Sequence, residues 1–451
     1  MKPPNGSLPF HVKLQRMFYI IPPSDSMFEH LDDVPNYVDG SSSAFQMLMV
    51  LEMVLLWIQC KSMPRVSDVI SSVGAGIASR FTGLFVKRAV EIATYCYVWD
   101  NYRLYELPWD SVWTWVAAMF GVDLGYYWVH RFAHEINFMW AAHQTHHSSE
   151  DYNLTTALRQ SVLQSYSSWM FYLPLALFIP PPIYQVHIQF NLLYQFWIHT
   201  EVVGWLGPLE YIINTPSAHR VHHGRNRYCI DKNYGGTFII FDILFGTYEA
   251  EKRDDINDRV VYGLVHPLES RDPIYTQLCH WQYILTTAWN RPGLINKAKT
   301  LLYGPGWEPG KPRLGEKTDI PDIHYPQPKY ETPAPLWYNV YSVVHFIPVF
   351  AIHQIAHENL ELLSQTHVML SIAFMLTTLT CLGAKFDKRW YASVLELARC
   401  LTVAVYLSAN LELASPQLTL PLLLLFSAST LLFSGIVFKE LCAPQQVDKS
   451  E

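Results

Sequence analysis

The sequence predicts an all-α polytopic membrane protein, with about nine transmembrane or membrane-embedded helices around a histidine-rich core. Two observations carry this prediction. Hydrophobic residues make up 50% of the 451-residue chain and gather into runs long enough to cross a bilayer. Eight histidines fall into three short clusters: "HRFAH" at 130–134, "HQTHH" at 143–147 and "HRVHH" at 219–223.

A spanning helix needs about 20 mostly apolar residues. The runs 44–60 (AFQMLMVLEMVLLWIQC), 367–384, 392–411 and 418–438 meet this most clearly, and 68–99, 111–129, 163–179, 183–199 and 337–355 are fainter. Buried core helices explain any one short run, but they explain the whole set poorly. The N-terminus (MKPPNGSLPFHVKLQ) lacks the continuous apolar stretch of a cleavable signal peptide, so the first true span is expected to act as an uncleaved signal. A net charge of −7 gives no basis for nucleic-acid binding. The 7 cysteines are scattered without a CxxC pair, which suits small packing residues better than a disulfide framework or a thiolate metal site.

Four regions follow from composition. Residues 1–110 hold the first spans, 111–250 the histidine-bearing core, 251–334 a polar, Pro-rich linker, and 335–451 a C-terminal block of spans. Lys and Arg favour the cytoplasmic side of short loops. The loop KFDKRW (385–390) is basic, while HENLE (357–361) and LELASPQ (411–417) are acidic or neutral, so the four C-terminal spans start and finish in the cytosol. EHLDDVPNYVD precedes the first span and Lys61 and Arg65 follow it, which puts the N-terminus on the opposite side. The runs 163–179 and 183–199 read as a hairpin broken by Pro180, Pro181 and Pro182. Out and back, it returns both HxxHH motifs to one face, where all three clusters can meet in the cytosol.

Residues at i, i+3 and i+4 share one face of a helix. His130 and His134 are related by i, i+4; His143, His146 and His147 by i, i+3, i+4; His219, His222 and His223 repeat the latter. Each cluster is therefore expected to aim its imidazoles at one point. Eight neutral imidazoles exceed one tetrahedral site and suit a pair of metals with open positions. His199, at the end of the returning hairpin arm, is a ninth candidate ligand, with Gln195 beside it as a weaker or water-mediated one. Glu135 follows His134 and could hydrogen-bond a ligand ring or relay protons, or stand as a solvated helix-end carboxylate. His345, His353 and His357 could share a helical face, but nothing beside them resembles a site. No HExxH zinc-protease motif, Gly-x-Ser-x-Gly elbow, P-loop or GxGxxG fingerprint is present. Aromatic residues around the first cluster (Trp113, Trp115, Tyr126, Tyr127, Trp128, Phe132, Trp140) could line a path for an apolar chain, although aromatics are common in helix cores.

HxxxH followed by two HxxHH motifs resembles the fatty acid hydroxylase/sterol desaturase superfamily over about residues 110–250. The flanking words HRFAHEINFMWAAHQTHHSSEDYNLTTALRQ and NTPSAHRVHHGRNRYCIDKNYGGTFIIFDILFGTYEAE, with the extra C-terminal spans, resemble its ether-lipid-cleaving branch more than the sterol or sphingolipid enzymes. The resemblance implies a di-iron centre held by the eight clustered histidines, with His199 and Glu135 carried over less directly. It also implies an endoplasmic-reticulum location and tetrahydrobiopterin as reductant. The implied reaction is O2-dependent hydroxylation of the ether-bearing carbon of an alkylglycerol, giving a fatty aldehyde and a glycerol derivative. No pterin-binding motif is legible and no obligate protein partner is expected. No haem signature of a cytochrome b5 domain, dinucleotide fingerprint or ferredoxin cysteine run occurs, so electrons must come from outside the chain. The alternatives are a sterol or sphingolipid hydroxylase or desaturase fed by cytochrome b5, and a metal or lipid transporter. Transporter sites favour the midplane, whereas these clusters sit at span ends.

Overall fold

The computed structural model describes residues 9–442 apart from 332, 360–361 and 411–415. Part of the N-terminal signal reading and of the two acidic loops therefore lies outside the described residues. The chain divides into two compact units, one of residues 1–269 with 275–330, the other of 270–274 with 331–451. Both are helical, and among the described residues the β pairing is limited to two isolated bridges, Ile213 with Phe238 and Gly224 with Tyr262.

The first unit contains α1 (Phe10–Met17), α2 (Ser42–Ile58), α3 (Val66–Val86), α4 (Ala93–Tyr102), α5 (Val112–Glu135), α6 (Asn137–His147), α7 (Leu154–Leu158), α8 (Pro181–Trp197), α9 (Pro216–His222), α10 (Ile240–Phe245), all but the first two residues of α11 (Pro273–Asn290), and α12 (Leu294–Leu302). A single extended residue, Ile136, separates α5 from α6 and turns the chain sharply between the first two histidine clusters. Ala118, Val122 and Val129 of α5 pack with Tyr95, Trp99, Tyr172 and Ile183. On another side of α8, Val186, Phe190, Leu193 and Phe196 pack with Met17, Phe28, Tyr37 and Leu154. Each such side chain contributes about 1.5–3 kcal/mol on burial, and α8 collects apolar neighbours on more than one face.

That burial revises the hairpin expected at 163–199. Its first arm is a single turn of α-helix, Ser165–Ser168, running into a 3-10 helix, Trp169–Leu177, with Pro174 inside it. At about 2.0 Å per residue such a helix covers roughly 18 Å, short of the ~30 Å hydrocarbon core. The prolines start α8, where Pro181 and Pro182 occupy first-turn positions whose N–H groups lack helical partners anyway. The polar 251–334 stretch is more structured than a linker, since it contains α11 and α12 and its Thr300 and Tyr303 carbonyls accept from Asn137 at the start of α6 (2.9 and 2.8 Å).

The second unit contains α13 (Leu336–Glu358), α14 (Gln365–Phe386), α15 (Ala392–Ala409) and α16 (Pro416–Cys442). Their outward positions are apolar and exposed, among them Leu336, Ile347, Met369, Val405, Leu424 and Leu431. Inside sits a buried polar clasp. Arg399 donates to Glu396 (Nε–Oε2 2.8 Å), to Thr378 (3.2 Å) and to His345 Nδ1 (3.1 Å), while His345 Nε2 meets Ser429 Oγ (2.9 Å) and Tyr341 donates to Glu396. His345, Glu396 and Cys400 lie close enough to hold a cation, but the guanidinium already occupies that place.

Among the described residues, five helical segments are long and apolar enough to cross a membrane: Leu31–Ile58, Leu336–His357, Gln365–Phe386, Ala392–Ala409 and Thr419–Cys442. The chain is a multi-pass helical membrane protein.

Candidate metal centre

The clusters come together in the first unit as two adjoining pockets. Ligand nitrogens of His130, His134, His143, His147 and His222 lie within 4.8 Å of one another, as do those of His146, His199, His219 and His223, and all nine side chains are buried. The clusters do not each aim at one point, as their spacing had suggested. Every i, i+4 pair (His130/His134, His143/His147, His219/His223) shares a pocket, while each i+3 residue, His146 or His222, enters the neighbouring one. A helix advances about 100° per residue, so i+4 departs by about 40° one way and i+3 by about 60° the other. The HxxHH spacing therefore serves two sites from one helix.

Hydrogen bonding fixes the tautomers. A carbonyl can only accept, so His130 donates from Nδ1 to Tyr234 (2.8 Å), His222 to Lys232 (2.9 Å), His146 to Arg159 (3.0 Å) and His199 to Gln195 (2.7 Å). Their Nε2 atoms then carry bare lone pairs. His146 and His199 point these lone pairs at each other across 3.3 Å, which is repulsive with nothing between them. His130 Nε2 lies 3.1 Å from His143 Nε2, and His222 Nε2 lies 3.2 Å from His147 Nε2. His134 Nε2 and His223 Nε2 are buried with no hydrogen-bond partner among the described residues. Two nitrogens bound to one ion at about 2.0–2.1 Å stand about 2.9–3.4 Å apart, so the donor set fits a cation in each pocket.

Electrostatics agree. Burial above all, with repulsion from neighbouring rings, holds His143, His147, His219 and His223 well below the ordinary imidazole range, and burial brings His146 down to about 4. The rings are neutral at pH 7, the state a ligand requires. Aromatic rings wall the pockets: Tyr126 lies 5.2 Å from His130, Trp140 5.0 Å from His134, and Tyr152 5.3 Å from His223. Of the other aromatic residues considered, Trp113 is exposed, and Trp115 is buried against Ser26 and His187.

Residues 115–247 match the fatty acid hydroxylase family model, and 338–424 match that of the alkylglycerol monooxygenase C-terminal domain. The chain is 51% identical to alkylglycerol monooxygenase of Homo sapiens over 91% of its length and 92% of the relative's. It is 46% identical to that of Danio rerio (93% of each chain) and 40% identical to that of Caenorhabditis elegans (87% and 81%). The chain belongs to the alkylglycerol monooxygenase family. No solved structure matches it. All nine pocket histidines and Glu135 fall within the stretch matched by the hydroxylase model.

In this member of the alkylglycerol monooxygenase family, two expected neighbours of the histidines stand elsewhere. The Gln195 side chain turns back to Asn191 (2.7 Å), so Gln195 serves His199 through its carbonyl and not as a ligand. Glu135 accepts from Arg131 (2.8 Å) and Arg313 (2.9 Å), and no imidazole donates to it among the described residues. Several supports were not foreseen. Asp231 Oδ1 lies 3.9 Å from His134 Nδ1. Asp242 accepts from the Tyr234 and Gly235 N–H groups (2.7 Å each) and so fixes the loop whose carbonyl holds His130. Asp123 accepts from the Thr237 and Phe238 N–H groups (2.7 and 2.9 Å). Both acids sit inside apolar stretches (GVDLGYYW and IIFDILF), which is the signal that could have found them.

Proposed function

We propose that the nine histidines hold two iron ions and that the chain hydroxylates the ether-bearing carbon of alkylglycerols with O2 and tetrahydrobiopterin. The resulting hemiacetal breaks down to a fatty aldehyde and a glycerol derivative. The observation that carries this reading is the set of bare Nε2 atoms facing one another in two buried pockets, in a chain of this family. Iron bound there would supply oxygen activation. The protein's part is to hold the rings neutral by burying them, to orient His130, His146, His199 and His222 through their Nδ1–H bonds, and to keep water out with Tyr126, Trp140 and Tyr152. Glu135, in its double arginine clamp, is proposed to steady the end of α5 beside His134 or to move a proton there. The remaining proposals are an endoplasmic-reticulum location, about nine membrane-embedded helices, histidines on the cytosolic face, and approach of the reductant over the 206–334 segment.

The test is turnover by purified protein given an alkylglycerol, O2 and tetrahydrobiopterin as sole reductant, read as fatty aldehyde formed. Activity that appears only with cytochrome b5 and its reductase would replace this reading with a desaturase-like one.

A further inference from the structure

We propose that Asp68, on α3 and outside the stretch matched by the hydroxylase model, is a positioning residue for the four-histidine pocket alone. The inference rests on the reading of the nine histidines as ligands of two ions.

His146 is held in that pocket by its Nδ1–H bond to the Arg159 carbonyl (3.0 Å). Besides a backbone N–H bond to the Thr156 carbonyl (3.0 Å), Arg159 is anchored by its guanidinium, buried with the rest of the residue (3% exposed). Nη2 donates to Asp68 Oδ1 (2.9 Å), Nε to Ser72 Oγ (3.0 Å) and Nη1 to Ser148 Oγ (3.0 Å). The other Asp68 oxygen accepts from Ser149 Oγ (2.5 Å), two residues beyond His147. One fully buried carboxylate therefore joins both ends of the segment 149–159, one end leaving α6 and the other presenting the carbonyl to His146.

The five-histidine pocket depends on other supports. His130 and His222 are held by carbonyls of the 232–234 loop, which Asp242 fixes. The axis of α6 is also fixed independently, at Asn137 by the Thr300 and Tyr303 carbonyls and at Thr145 by the Thr276 carbonyl (3.2 Å). Loss of Asp68 should release the Arg159 carbonyl, and with it the His146 ring, while His143 and His147 stay in place.

Residues that orient a ligand ring change metal affinity by about 10- to 100-fold. The full-length protein, loaded with Fe2+ and counted by elemental mass spectrometry, should hold two ions, and Asp68→Asn should hold one, binding the second about 10- to 100-fold more weakly. Adding Asp68→Asn to His146→Ala should remove no further iron, whereas adding it to His134→Ala should remove the one remaining ion. Asp68→Asn with two ions at wild-type affinity, or with both lost in parallel, overturns the inference. If that variant is not recovered folded, Ser149→Ala removes one limb of the clasp without stranding a charge and is read by the same criteria. Wild-type protein that never holds two ions would sink the ligand reading, and this inference with it.

Discussion

His187 and His199 lie on the same apolar arm and meet opposite surroundings. His187 is fully buried against Trp115 (ring centroids 4.5 Å apart) and Tyr19 (6.0 Å), away from both pockets. His199 faces His146 and His219. His199→Ala should therefore lose iron and turnover, while His187→Ala should keep both ions and lower the melting temperature by leaving a cavity. Elemental analysis beside thermal unfolding separates the two, and a reversed pattern would refute the ligand role of His199. For Glu135 the arginine clamp predicts that Glu135→Gln keeps iron content but loses most turnover, and wild-type rates would leave it a buried ion-pair partner with no part in the reaction. At this scale the histidines were legible because imidazole at helical spacing is a side-chain signal. The Tyr234, Lys232, Arg159 and Gln195 carbonyls that orient them carry no such signal, because every residue has one.

The HxxHH helices show what spacing conveys about an element and what it leaves open. It placed three imidazoles near one another, but the division between two sites depends on how α6 and α9 face each other, which is a tertiary property. The loop Asn233–Thr237 is the companion case. There a Cβ on Gly235 would collide with the Phe238 carbonyl, and one on Gly236 would lie 2.8 Å from Asp123 Oδ1, so the chain passes too close to itself for a side chain. Gly235→Ala must push the loop away and draw the Tyr234 carbonyl off His130. The expected result is lower iron content in the five-histidine pocket and a lower melting temperature, read by elemental analysis and calorimetry; unchanged values for both would remove the loop from the account.

Over the whole molecule, apolar runs revealed the membrane class, and among the described residues five helices are long and apolar enough to cross by length and composition alone. The strong run at 44–60 and the C-terminal runs correspond to the five candidate spans. The faint runs at 111–129 and 183–199 became α5 and α8, whose polar residues Asp123, Gln189 and Asn191 are buried against protein. A hydropathy window cannot tell a helix that faces lipid from one that faces other helices. Orientation is open to direct test through Cys60 and Cys442, which are free and exposed. In sealed microsomes with the cytosolic side outward, the proposed topology has a membrane-impermeant maleimide label both before permeabilisation. Cys60→Ser and Cys442→Ser serve as controls, and labelling that requires detergent would invert the topology.

The clasp in the second unit bears on how this protein is made. A lone arginine near the centre of a span opposes insertion by about 2.5–3.5 kcal/mol. Arg399, however, shares α15 with Glu396, one helical turn away, and their ion pair lies within a single helix. The segment can thus enter the bilayer already electroneutral, before α13, α14 or α16 has docked, and those helices need supply only uncharged partners such as His345, Thr378 and Ser429. Nascent-chain insertion assays should accordingly find Glu396→Gln impaired at the α15 step and Thr378→Ala normal there, with any defect of the latter appearing only when the helices assemble.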